Sequence, residues 1–275
     1  MIFRITYNSN EYKVKGYLGL PNHVAATRFK LARFFNEIKP IERVSYSIIP
    51  SSAHLETIKM PCIIYCRGGI GHFGRVKPNW VEAFANQGYL IFAPCYRGNE
   101  GGEGRDEFGG ADKEDVDAAV RLLQTLPFVD KNKISIMGFS RGSINATQTA
   151  ITMPTIDKLI LWGGVSDLTQ TYEERVDLRR MLKRVIGGTP RKFPDAYEAR
   201  SPIQLASKIS CPVLIIHGTK DAQVDISHGI NMYSELKHLQ KEVTLHSYNG
   251  YGHHLPLPVR LLAIKRMFDW ITRKA

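Results

Sequence analysis

Short apolar runs alternate with longer amphipathic ones along most of this chain. The runs at 43–49, 62–66, 90–93, 134–137, 158–162, 213–217 and 242–248 are rich in branched and aromatic residues and too short for buried helices, so each predicts a strand. The stretches at 80–86, 113–125, 143–151, 227–239 and 260–272 repeat apolar residues at helical spacing. Strand followed by helix, repeated, is the sequence sign of a mostly parallel sheet with helices on both faces. Two β-type runs at 3–7 and 11–20, split by Asn8-Ser9-Asn10, predict a hairpin at an antiparallel edge. Residues 24–38 set Phe29, Phe34, Phe35 and Ile38 among Arg28, Lys30, Arg33 and Lys39, which predicts a helix packed on the body of the domain rather than a basic membrane-surface helix. At 169–197 the rhythm breaks: a charged helix at 173–186 precedes Gly187-Gly188-Thr189-Pro190. That segment is expected to be a small helical lid inserted into one domain spanning 1–275.

Composition narrows the class of protein. With 275 residues, 43% of them hydrophobic, the chain can bury a sizeable core. The formal charge of +11, from 37 Lys and Arg against 26 Asp and Glu, would suit an acidic partner. The basic residues are scattered, however, and their enrichments at 175–191 and 260–274 read as solvated helix faces without a nucleic-acid motif, so no nucleic acid is expected. Cys62, Cys66, Cys95 and Cys211 lie in or beside apolar runs, with no Cys-x-x-Cys pair and no His at zinc spacing; reduced thiols, no metal and no cofactor follow. The first twelve residues lack a secretory pattern, and no apolar run approaches the ~18 residues of a membrane span. A cytoplasmic protein is expected, its oligomeric state unspecified.

The chemistry starts where the strand Lys133-Ile134-Ser135-Ile136-Met137 runs into Gly138-Phe139-Ser140-Arg141-Gly142 and then into helical Ser143-Ile144-Asn145-Ala146. Gly-x-Ser-x-Gly between strand and helix is the nucleophile elbow of the α/β-hydrolase fold, with both glycines placed where a Cβ would clash. Ser140 is the candidate nucleophile. In this fold an acid and then a base follow in the chain. Asp221 stands in the loop after the run Val213-Leu214-Ile215-Ile216, its rival Asp225 leading into the next helix as a cap would. After the last strand, Asn249-Gly250-Tyr251-Gly252-His253-His254 offers His253 as base, with His254 as alternative. His217, where strand becomes turn, reads as a backbone hydrogen-bonding residue. Oxyanion donors are expected from the N–H of Arg141 and from Arg67-Gly68-Gly69-Ile70, a loop whose glycines let backbone approach a ligand. Gly69 N–H is the second donor, and Arg67, Gly68 and Ile70 are candidate substrate contacts. A phosphate cradle is the alternative use of this loop, but neither Gly-Lys-Ser/Thr nor Gly-x-Gly-x-x-Gly is present there.

These residues resemble the catalytic domain of the prolyl oligopeptidase family over most of the chain. Besides the elbow, Tyr96-Arg97-Gly98-Asn99-Glu100-Gly101, then Gly109-Gly110-Ala111-Asp112-Lys113-Glu114-Asp115-Val116, is similar to that family's arginine-glycine loop and acidic helix start. So are Arg200-Ser201-Pro202 before Cys211-Pro212-Val213, the stretch His217-Gly218-Thr219-Lys220-Asp221-Ala222-Gln223-Val224, and Tyr248-Asn249-Gly250-Tyr251-Gly252-His253. The resemblance implies the same Ser140, Asp221 and His253. Three departures stand out. Arg67 replaces a usual His, which raises the further expectation that its guanidinium donates to the oxyanion; Asp225 replaces a usual Pro; and the family's large N-terminal propeller is expected to be absent. The function expected is a serine hydrolase that cleaves small esters or short peptides through an acyl-enzyme. The alternative is a catalytically silent binding module on the same fold.

Overall fold

The computed structural model describes residues 1–25, 31–40, 53–55 and 58–273. At its centre is a nine-stranded sheet in the order β11-β10-β9-β8-β6-β7-β2-β1-β4. Six neighbouring strands run parallel: β6 (Met60–Cys66), β7 (Leu90–Pro94), β8 (Val129–Phe139), β9 (Ile156–Trp162), β10 (Val213–Gly218) and β11 (Val243–Tyr248). The hairpin β1 (Ile2–Ser9) and β2 (Tyr12–Gly19) adds an antiparallel edge, with β2 against β7. Asn10 makes its tight turn at φ 50°, a conformation Asn tolerates better than most residues.

Along β6 the side chains alternate between two cores. Cys62, Ile64 and Cys66 join α2 (Lys113–Thr125), α3 (Gly142–Thr152) and α7 (Ile226–His238) on one face. Ile63 and Tyr65 join α1 (Pro78–Ala85) and α8 (Leu257–Ile271) on the other. Burial on both faces explains why these strands read as continuous apolar runs.

Of the helix expected at 24–38, residues 26–30 lie outside the described residues. Val24–Ala25 is a two-residue strand, β3, paired with β5 (Ala53–His54), and among the described residues of this stretch 31 and 32 have helical backbone. Glu37–Pro40 is the edge strand β4, antiparallel to β1. Ile38 buried between half-buried Glu37 and exposed Lys39 fits a period of two as well as a helical stripe, and the open edge of β1 supplies backbone partners that decide the matter. Phe34 packs edge-on against Phe128, at the amino end of β8, and so does not cover the site described below. The expected strand at 43–49 and Phe29 lie outside the described residues.

The charged helix expected at 173–186 is broken at Arg175 into α4 (Leu168–Glu174) and α5 (Val176–Ile186), followed by α6 (Pro194–Glu198). Asp167 caps α4 by accepting from Thr169 and Gln170 N–H, and Gly187 ends α5 at φ 107°. Leu182 anchors the segment in a separate small core with Leu168, Val165 and Tyr197.

Candidate active site

At the carboxyl end of β8 the chain reverses into α3 through Ser140, whose φ of 56° lies in the left-handed region a serine normally avoids. Its neighbours explain how such a turn is held. A Cβ on Gly138 would come within 2.5 Å of Ser143 N, and one on Gly142 would overlap the Cys66 carbonyl, so strand and helix close to this distance only with glycine at both positions. The turn is tied by Ser140 N donating to Trp162 O (2.9 Å) and Ser140 O accepting from Ser143 N (3.0 Å) and Val165 N (3.2 Å). The side chain therefore stands over the amino end of α3, where negative charge is favoured.

Two loops from the next strands bring an acid and a base together. Lys220 N donates to Tyr251 O (2.8 Å), and Gly218 leaves room for the Tyr251 carbonyl where a Cβ would collide. Across this seam Asp221 Oδ2 lies 2.7 Å from His253 Nδ1, and Asp221 Oδ1 accepts from Gln223 and Val224 N–H at 2.9 and 3.0 Å. Burial raises the affinity of this carboxyl for a proton, but hydrogen bonds from His217, His253 and Val224 outweigh it and hold Asp221 well below the usual carboxylate range. A carboxylate at Nδ1 calls for the proton on that nitrogen, which leaves Nε2 free to accept one. Asp225, by contrast, caps α7 by accepting from Ser227 N–H at 2.9 Å. His254 is exposed and stacks on Phe139. His217 is buried, its Nε2 2.9 Å from Val224 O and 3.5 Å from Asp221 Oδ2.

Ser140 and His253 border one cavity of about 800 Å³ and make no hydrogen bond to each other in this conformation; such bonds often close only when substrate binds. The cavity wall carries Trp80, Phe139, Phe108 and Val165 from the body, Ile70 from the loop after β6, and Leu178 and Met181 from α5. Gly163 was not singled out from the sequence, yet it sits at φ 52° where a Cβ would stand 3.2 Å from His253 Nδ1 and 3.5 Å from Asp221 Oδ2. A lone Gly-Gly after a strand carries no signal of that proximity.

Neither Gly69 N–H nor Arg141 N–H has a protein acceptor among the described residues, and both residues line the cavity. Gly68 packs so close that its Cβ would lie 2.8 Å from that of Ser140. The guanidinium of Arg67 does not face the cavity as a donor. The residue is 1% exposed, and its Nε and Nη2 reach Cys95 O (3.2 and 2.9 Å), Nη2 also Asp106 (3.2 Å), and Nη1 the carbonyls of Gly68 and Gly69 (3.0 and 3.1 Å). Once those five N–H groups are used within the protein, none is left for an oxyanion. The effect on the loop is indirect. The Gly68 carbonyl and Gly69 N–H belong to one trans peptide and point opposite ways, so holding the oxygen fixes where the hydrogen points.

Arg141 adds a second hold on the same loop through Nη1 to Gly69 O (2.9 Å); Nη1 and Nη2 also meet Asp106 (3.1 and 2.7 Å) and Nη2 meets Asp112 (2.6 Å), while its buried Nε has no hydrogen-bond partner among the described residues. Both guanidinium groups flank the Tyr96 ring, at 4.7 and 4.6 Å from its centre. Two buried cations thus face two buried carboxylates. Burial alone would raise Asp106, but Arg141 and then Arg67 hold it below the ordinary carboxylate value. Tyr96 and Asp112 were legible only as parts of motifs and Asp106 was not singled out at all, because nothing local in the sequence pairs them with Arg67. The thiols nearby take no part: burial pushes Cys66 up to about 12.

A serine on a strained strand-to-helix turn, with a carboxylate-bound imidazole across a cavity at the carboxyl edge of a mostly parallel sheet, defines a serine hydrolase of the α/β-hydrolase fold. Within that class the chain belongs to the prolyl oligopeptidase family, whose pattern residues 76–275 match. Over 212 residues it is 47% identical to the uncharacterized peptidase YtmA of Bacillus subtilis (strain 168), an alignment covering 77% of this chain and 82% of that one. It is 26% identical over 236 residues to dipeptidyl-peptidase 5 of Porphyromonas gingivalis, covering 78% of this chain but 34% of the relative. The solved acylaminoacyl peptidase of Pyrococcus horikoshii superposes with a TM-score of 0.74 at 21% identity, over 98% of this chain and 41% of that one. A puromycin hydrolase superposes with a TM-score of 0.76 at 18% identity, over 98% and 38%. At such identities the superpositions speak for the fold. No helix among the described residues is long and apolar enough to cross a membrane.

Proposed function

We propose that the chain is a serine peptidase of short peptides, able also to cleave small activated esters, and that Ser140 carries the acyl group. The observation that supports this most is that Ser140, the Asp221–His253 pair at 2.7 Å and two N–H groups without acceptors converge on one cavity. In the reaction Ser140 Oγ attacks the scissile carbonyl while His253 Nε2 takes its proton, and Asp221 holds the imidazole and balances its charge. The oxyanion settles on Gly69 and Arg141 N–H, the leaving amine departs with the proton from Nε2, and water repeats the sequence on the acyl-enzyme. Gly68 and Ile70 touch substrate, and Arg67 contributes through its backbone and its hold on the loop. We further propose one catalytic domain over 1–275 in which 169–197 acts as a lid bringing Leu178 and Met181 over the acyl group. Four free thiols, three of them buried, suit a reducing compartment, and the cytoplasm is the location we propose.

A fluorophosphonate probe tests the nucleophile: covalent labelling of wild type and not of Ser140→Ala is expected, and a well-folded wild type that resists labelling would favour a silent module. Turnover of p-nitrophenyl acetate alongside a pool of short peptides tests the substrate class. Ester cleavage without any peptide cleavage would make it an esterase.

A further inference from the structure

The charged side chains around the cavity are strongly one-sided. Six residues of its lining are basic, Arg67, Arg75, Lys77, Arg141, Arg175 and Arg184, and one, Asp177, is acidic. Arg67 and Arg141 are balanced from behind by Asp106 and Asp112. Arg175 takes Asp177 for itself in a two-pronged pair at 2.9 and 2.7 Å, and Arg75 has an interaction of its own. Lys77 and Arg184 remain, both exposed and neither in an ion pair among the described residues. They approach from different elements, Lys77 from the residue before α1 and Arg184 from the last turn of α5. The charge of Lys77 is felt at His254, next to the candidate base: burial first, then His253 and Lys77, lower the affinity of that imidazole for a proton.

The converse observation carries equal weight. A free ammonium group near the scissile bond would need a carboxylate, and among the described residues the cavity has none to give. Asp177 is committed to Arg175, and both oxygens of Asp221 are committed to His253 and to Gln223 and Val224 N–H. A cleft lined by one sign of charge raises the local concentration of the opposite sign and repels its own.

We propose that this cavity selects anionic substrates: short peptides that carry a carboxylate close to the scissile bond and no free ammonium there, with Lys77 and Arg184 as the residues that make the choice. The inference rests on the Ser140 reading above.

The test uses three pools of tetrapeptides of apolar residues, identical except at their ends. One is acetylated with a free carboxylate, one acetylated with a carboxamide, and one has a free amine with a carboxamide. At low salt, kcat/KM is expected to fall in that order, by about tenfold from first to last. In Lys77→Gln/Arg184→Gln, and in wild type at high salt, the three values should draw to within about twofold of one another. Lys77→Arg should keep the order, since it keeps the charge. A flat or reversed order, an order untouched by the double variant, or no peptide turnover by enzyme that cleaves p-nitrophenyl acetate would overturn the proposal. If Ser140→Ala retains that ester activity, the Ser140 reading fails first and the inference with it.

Discussion

Asp106→Asn is the most informative single change, because one carboxylate balances two buried guanidinium groups that hold the loop carrying Gly69. Asp106 accepts from Arg67 Nη2 (3.2 Å), from Arg141 Nη1 and Nη2 (3.1 and 2.7 Å), from Asn99 Nδ2 (3.1 Å) and from Phe108 N–H (3.1 Å). The asparagine keeps the shape and removes the charge, leaving Asp112 alone against two cations, and its amide NH2 meets donors where an oxygen stood. Removing one partner of a buried ion pair costs about 3–5 kcal/mol. At roughly 2.1 cal/mol/K per residue, unfolding 275 residues carries about 0.6 kcal/mol/K of entropy, so Tm should fall by about 5–9 °C. Because the folded carboxyl is held below its unfolded value of about 3.9, its contribution is fully present above that pH and is lost as pH falls further. The gap in Tm between wild type and variant should thus be constant from about pH 5 to 8 and close below about pH 4. Loosening Arg67 also frees the Gly68–Gly69 peptide, so kcat should fall by about tenfold or more with KM little changed, short of the ~100-fold or greater loss that follows outright removal of an oxyanion donor. Circular dichroism melts across pH, with ester kinetics on the same samples, provide the assay. A Tm within about 2 °C of wild type, with kcat intact, would refute the claim that this network holds the loop.

Ser140→Gly should abolish hydrolysis, by about 10⁴-fold or more, yet raise unfolding free energy by about 1 kcal/mol in urea titration, because glycine accepts φ 56° without the cost serine bears. Gly163→Ala places a methyl 3.2 Å from His253 Nδ1 at φ 52°, so kcat should drop at least about tenfold while fluorophosphonate labelling slows in proportion. Asp221→Asn should lower kcat by about 10⁴-fold, whereas Asp225→Asn should keep most activity and lose at most about 1 kcal/mol of stability as an altered cap of α7; comparable losses in kcat for the two would contradict the pairing seen in the structure.

Local patterning was enough to read the alternation of buried strands and amphipathic helices, since each depends on side chains a few positions apart, and 113–125 matches α2 to the residue. The turn at Ser140 was equally legible, because two glycines around a serine between strand and helix are a local requirement of the backbone. The order of Ser140, Asp221 and His253 along the chain narrowed each loop to two candidates. Within each loop the sequence favoured Asp221, because Asp225 reads as a helix cap, and His253; that the two side chains meet is a tertiary fact, since it depends on the loops after β10 and β11 lying side by side, a register that no spacing encodes. Glu37 and Ile38, at the end of the expected helix, were misjudged because a period of two and a period of 3.6 coincide over so few positions, and the free edge of β1 decided between them. Arg67 was misjudged for the opposite reason. A charge beside a catalytic loop suggests contact with substrate, but the Cys95 carbonyl, 28 residues on, and Asp106, 39 residues on, turn it inward, and long-range pairing of that kind is invisible until the chain has closed around it.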